Sequence, residues 1–183
     1  MGARASFLPS DLAIVGRAAT VAEDLTTAYF NLRPDEWKRN PYDIFTGKHV
    51  DDYLYEPDAF ASVVKVVSGK RSREASARHE RFGIVLQDPN ILRALLRPAN
   101  YDLWTLLLFV LTHELIHIVR FRLFGVDFFG GAEGREREEK LVHGVTKDIL
   151  KGAPNTAALL RFYDDENMRY REIPYNTLEE RRF

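Results

Sequence analysis

The sequence predicts a single α+β domain over residues 1–183, mostly helical, with a small sheet packed on one long central helix. Three observations predict it. Apolar residues recur at helical spacing in several long stretches, only two short stretches are β-branched enough for strands, and one apolar run from Leu103 to Leu111 leads almost directly into His113-Glu114-Leu115-Ile116-His117. A chain of 183 residues is long enough for one substantial core and short for two, and 45% hydrophobic with 29% charged residues is ordinary for a globular protein. Within that domain the reading separates an N-terminal helical part (about 1–58), a core part (about 59–152) and a C-terminal part (about 153–183).

The first element is a helix from about Asp11 to Asn31. Ser10 is its candidate cap, Leu12, Val15, Ala18, Ala22, Leu25 and Tyr29 form its stripe, and Pro34 follows its end. From Arg33 to Asp58, Pro34, Pro41, Gly47 and Pro57 predict an irregular segment that wraps the core and is pinned by Trp37, Tyr42, Phe45, Tyr53 and Tyr55. Phe60 to Val67 supports two readings: the valines favour a strand, while Pro57-Asp58 favours a helix start. Gly69 to Arg81 holds five basic residues (Lys70, Arg71, Arg73, Arg78, Arg81) against Glu74 and Glu80, a local charge of 5 − 2 = +3, with no aromatic residue to stack a base. It reads as a solvated loop rather than a nucleic-acid groove.

Phe82 to Gln87 predicts a strand, closed by Asp88-Pro89-Asn90 as turn and cap, and Ile91 to Leu96 a brief helix ended by Pro98. Asn100 is the candidate cap of a helix from Tyr101 to Phe124 that Gly125 can end in the left-handed conformation. This helix is apolar almost all round, so it is expected to be buried, and its polar groups must find partners inside the protein. The segment Gly125 to Gly134 reverses the chain, and a second helix follows to Lys151 with Leu141, Val145 and Ile149 on one face. Thr156 to Tyr163 predicts one more helix before a less regular tail.

His113 and His117 stand at i and i+4, so both imidazoles project from one face of the helix and can close on one tetrahedral zinc. Glu114 points about 100° round the axis, where it can take a proton from a water at the metal's open position. With 5 His and 14 Glu in 183 residues, about 0.01 such motifs are expected by chance. A third ligand must come from elsewhere, and the absence of cysteine restricts the choice to His and carboxylate. His117 lies about 12 Å before Gly125, and Glu139 about 10 Å into a second helix starting near Ala132, so the two come level. Glu139 is the expected ligand, with His143 one turn on as a polar neighbour behind it. Glu138 is the next choice, and His143 itself is the remaining alternative. His49 and His79 show no partner pattern and read as surface residues.

The motif and the helix Glu139-Lys140-Leu141-Val142-His143 resemble those of the zincin metallopeptidases, and among them the small gluzincin type, in which a His-Glu-x-x-His helix is followed by a helix supplying glutamate. The resemblance covers about residues 82–152; in that group Asp or Asn commonly stands where this chain has His143. It implies a zincin-like domain with the small sheet packed on the active-site helix, a Zn2+ cofactor, a peptide or protein substrate and Glu114 as general base. It also implies that the strand Phe82–Gln87 is an edge strand on which an extended peptide could pair. Tyr163, Tyr170, Tyr175, Arg169 and His143 are candidates for stabilising an oxyanion. The rival readings are a non-catalytic metal-binding regulatory protein on the same scaffold and a nucleic-acid-associated protein using segment 70–81.

A formal net charge of −1 gives no overall drive to nucleic acid. The N-terminal residues show no apolar core followed by a cleavage site, so a cytoplasmic location is the default expectation. The run Leu103–Leu111 is too short for a transmembrane span of about 20 residues.

Overall fold

The computed structural model of the chain describes residues 5–47, 54–68, 79–96, 101–128, 131–153, 155–164 and 176–179. Residues 70–78 of the basic run lie outside them, as do His49, Asn100, Arg169, Tyr170 and Tyr175 and the side chains of His79 and Tyr163. The fold is a mostly helical α+β arrangement. Its centre is the helix α4 (Leu103–Leu123), which packs against the helices α1 (Pro9–Tyr29), α3 (Asp88–Leu95), α5 (Ala132–Leu150) and α6 (Thr156–Asp164) and against the strand β2 (Ala61–Ser68). Leu106, Leu107, Leu108 and Leu111 are all fully buried. Each such leucine stabilises the fold by about 1.5–3 kcal/mol through its burial, which is why this helix sits inside although its length and composition would also suit a membrane.

α1 begins two residues earlier than its sequence suggests. Pro9 takes the first turn, where its missing N–H costs nothing, and Asp11 accepts a 2.8 Å hydrogen bond from the Leu8 N–H, so the cap is not Ser10. Its buried positions are Val15, Ala18, Ala19, Ala22 and Thr26, mostly small, which lets α1 lie close against α4. Leu12 and Tyr29, at the ends of the expected stripe, are exposed.

The segment after α1 is more regular than its prolines imply. It contains a four-residue helix, α2 (Glu36–Arg39), and a short strand, β1 (Tyr42–Phe45). Two of the expected aromatic pins hold it: the Trp37 indole N–H donates to Thr27 Oγ1 at 2.9 Å, and the Tyr42 hydroxyl donates to Glu23 at 2.7 Å.

Phe60–Val67 resolves as the strand β2, and the strand at Phe82 extends back to His79 as β3 (His79–Leu86). With β4 (Asn176–Glu179), a strand within the tail expected to be irregular, they form a sheet of order β1-β3-β2-β4. β3 pairs parallel with β1 and antiparallel with β2, and β2 pairs parallel with β4. The expectation of an edge strand at Phe82–Gln87 is therefore corrected: β3 is an inner strand, and among the described residues the sheet edges are β1 and β4. One sheet face sends Ala61, Val63, Ile84 and Leu86 into the helical core. The other gathers Val64, Val66 and Val85 under Leu54 and Phe45. Gly83 is required there, because a Cβ at this position would lie 2.7 Å from the Phe45 ring and 3.0 Å from Val66.

Asn90, expected at a turn, fastens the approach to β2 instead: its amide donates to the carbonyls of Glu56 (2.7 Å) and Ala59 (2.6 Å). α4 is capped by Asp102, which accepts the Thr105 N–H at 2.8 Å. Its far end behaves as expected, with Gly125 at φ +64° just beyond the last turn. The buried face of α5 is turned by about one residue from the expected stripe. Glu138, Glu139, Val142, His143, Thr146 and Leu150 are inward, while Leu141 is exposed.

Candidate metal centre

That rotation of α5 builds the site. His113 and His117 project from the middle of α4 towards α5, whose first inward residues are Glu138 and Glu139. His113 Nε2 lies 3.2 Å from His117 Nε2. The two carboxylate oxygens of Glu139 lie 3.2 Å from these nitrogens, Oε2 from His113 and Oε1 from His117. For metal–ligand bonds of 2.0–2.1 Å the edge of a ligand tetrahedron is about 3.3 Å. The two imidazole nitrogens thus already stand at the spacing a tetrahedral cation imposes, Glu139 meets each with a different oxygen, and among the described residues these three side chains form the group of His, Asp and Glu fit to hold a metal. Neither Glu138 nor His143 belongs to that group.

Two imidazole nitrogens facing each other at 3.2 Å cannot both present lone pairs, so without a cation a proton must hold them together. Burial alone would lower the pKa of His117, but the charge of Glu139, contacts with Glu138 and Glu139, and the charge of Glu114 together raise it to about 10. Burial pushes Glu139 up, yet the charge of His117 and the contacts with both histidines hold it far below the ordinary carboxylate range. A cation entering the site would displace the proton and take over these contacts. Carboxylate plus two imidazoles is a donor set suited to zinc.

Glu138 does not compete for the position. Arg120, three residues past His117, donates to it from two points, Nε to Oε1 at 2.6 Å and a terminal nitrogen to Oε2 at 2.8 Å. The same Oε1 is 3.7 Å from His117 Nδ1. Burial raises the pKa of Glu138, but His117 and Arg120 outweigh it and bring it down to about 2. On the other imidazole, His113 Nδ1 faces the Thr146 hydroxyl at 3.5 Å, and that hydroxyl itself donates to the Val142 carbonyl at 2.8 Å. Both rings are therefore approached at Nδ1 from α5, leaving Nε2 for the metal.

Glu114 is buried, 6% exposed, on the same turn. Burial raises its pKa, opposed by the charges of His113 and His117 and assisted by that of Glu139. A carboxylate raised towards neutrality is a better proton acceptor than an exposed one. Aromatic rings flank the pair along the helix: Phe121 stacks on His117 at 5.7 Å and 17°, and Phe109 lies parallel to His113 at 6.4 Å. His143 stands edge-on to Phe109 at 6.0 Å, its ring 6.5 Å from that of His113, so it borders the site.

Arg120, Thr146, Phe109 and Phe121 are the site residues that sequence reasoning missed. Phe109 and Phe121 carried a readable signal, since they stand four residues before His113 and four after His117. Arg120 and Thr146 carried none, because each acts across the α4–α5 interface. Comparison of the chain with protein-family models, with curated protein sequences and with solved structures gives no match.

Proposed function

We propose that the protein is a zinc-dependent metallopeptidase of zincin type, with His113, His117 and Glu139 as ligands and Glu114 as general base. The observation that carries the reading is the set of 3.2 Å spacings from Nε2 to Nε2 and from each Nε2 to one oxygen of Glu139, with a second buried carboxylate, Glu114, on the residue after His113. Zinc, when bound, would supply the Lewis acidity that lowers the pKa of a water and polarises a carbonyl. His113, His117 and Glu139 fix its place. Glu114 accepts the proton of the attacking water and returns it to the leaving amine nitrogen as the C–N bond breaks. The flanking Phe109 and Phe121 rings keep bulk water from the sides of the pair, which strengthens the charge interactions inside. The peptide nature of the substrate rests on the resemblance to zincins. With β3 inside the sheet, a peptide that paired with a strand edge would have to use β1 or β4.

The test is zinc uptake by the full chain, followed by turnover of a mixture of fluorogenic peptides. Glu114→Gln should keep one zinc per chain and lose at least about 100-fold in kcat. Undiminished turnover by that variant would falsify the base assignment. Zinc uptake by the wild type with no turnover of any peptide would favour the non-catalytic metal-binding reading.

A further inference from the structure

The described surface offers other features to consider. Tyr29, Leu123 and Phe124 are exposed at one end of α1 and α4, and the buried Asp88 accepts a hydrogen bond from the Phe7 N–H. Nothing shows what would cover the first, and the second ties the N-terminal segment to α3. The α4–α5 interface carries more.

We propose that Arg120 is a positioning residue of the metal centre: its two-point grip on Glu138 fixes a carboxylate that faces His117 Nδ1 at ion-pair distance, so that this ring offers Nε2 and not Nδ1 to the cation. The inference rests on the metal-centre reading and adds to it a residue that touches neither metal nor substrate. A guanidinium matches a carboxylate with two parallel donors, and here both are short, 2.6 and 2.8 Å, with the partners largely buried. The grip matters because Glu138 and Glu139 are neighbours on one helix and both face inward. A carboxylate free to rotate beside His117 could turn away from the ring and leave it free to turn as well. Held by Arg120, Glu138 stays at 3.7 Å from Nδ1, on the far side of the ring from Nε2. Groups that orient a metal-bound imidazole in this way commonly change metal affinity by about 10–100-fold when removed. Arg120 has a second contact, its guanidinium 6.0 Å from the Phe124 ring centre, so a purely packing role is the competing explanation.

A double-mutant cycle on the full chain separates the two. Zinc affinity is measured by competition with a chromophoric chelator for wild type, Arg120→Met, Glu138→Gln and the double variant. The Nδ1–H proton resonance of His117 is followed by NMR in each zinc-loaded form. Each single variant is expected to bind zinc about 10–100-fold more weakly, and the double variant no more weakly than the worse single, since the pair acts as one unit. The resonance should lie downfield in the wild type and move upfield or vanish in the variants. If Arg120→Met leaves its partner's charge too costly to bury and does not fold, Arg120→Lys, which keeps the charge but not the fork, should fold and bind with intermediate affinity. Additive losses, or an unchanged affinity and His117 resonance in the Arg120 variants, would overturn the proposal while leaving the metal centre standing. A wild-type chain that takes up no zinc would remove both.

Discussion

His113 and His117 sit one turn apart on the same helix, yet the protein backs them with opposite kinds of group. Behind His117 stands an anion locked by a guanidinium, and against its face lies the Phe121 ring; its side chain is 2% exposed. Behind His113 stands a neutral hydroxyl at the limit of hydrogen-bond length, and its side chain is 15% exposed. One ring is thus enclosed beside a fixed charge, at an ion-pair distance of 3.7 Å, and the other is more open to solvent. The contrast puts the more open side of the pair at His113 and the more enclosed side at His117. It also says that equal motif positions need not contribute equally to the fold.

The largest expected effect tests that last point. His117 is buried between Glu138 and Glu139, at 3.7 and 3.2 Å, and their charges, with that of Glu114, favour its protonated form when no metal is bound. His117→Ala removes a buried partner of Glu138, Glu139 and Glu114, of which Arg120 still holds Glu138 and His113 still meets Glu139, and should destabilise the protein by about 1–3 kcal/mol. His113→Ala should remove metal binding just as completely but destabilise clearly less, because Glu139 keeps its contact with His117. Urea unfolding of both variants without metal measures the difference, and equal costs would break the comparison.

A smaller effect should come from Thr146. Thr146→Val keeps the shape and removes the hydroxyl facing His113 Nδ1. A neutral hydroxyl at 3.5 Å contributes less than a buried carboxylate at ion-pair distance, so zinc affinity should fall by only about 2–5-fold. A loss as large as that of Glu138→Gln would mean that the two rings are held alike. The valine also relieves the side chain of its bond to the Val142 carbonyl, so stability should change little.

These partners explain how far the site was legible. The two histidines and Glu114 are local in sequence and their spacing alone sets their geometry. Glu139 was reached by levelling two antiparallel helices, and it is inward, but not because it flanks a Leu141 stripe. The buried face of α5 runs through Glu139, Val142, His143 and Thr146, and polar residues fill it because the partner surface on α4 is itself a polar centre. A hydrophobic pattern cannot show such a face. Glu138, next to the ligand, was unreadable for a related reason: its role depends on Arg120, 18 residues earlier and across the interface. The same holds for the sheet. β3 reads as a strand from its own residues, but whether it is an edge or an inner strand depends on β1, four residues between Pro41 and Gly47 that owe their extended form to pairing with residues 82–85.

The smallest expected effect lies farthest from the histidines and separates fold from site. Asp102 caps α4 from an exposed position. The Thr105 hydroxyl and N–H, both donating to its carboxylate, hold its pKa below the usual value. Asp102→Ala should cost about 1 kcal/mol at neutral pH. Because the folded-state pKa is the lower one, this stabilisation is complete above the unfolded value of about 3.9 and is lost as pH falls through the folded one. The gap between wild type and variant in urea should therefore be constant from pH 5 to pH 8 (roughly the range above both values) and close below about pH 4. Zinc affinity should not move at all, since α4 is held in place by burial on every side and not by its first turn. A cap variant that did weaken zinc binding would show that the histidines take their position from the start of the helix, and the contrast between their two ends would then need another cause.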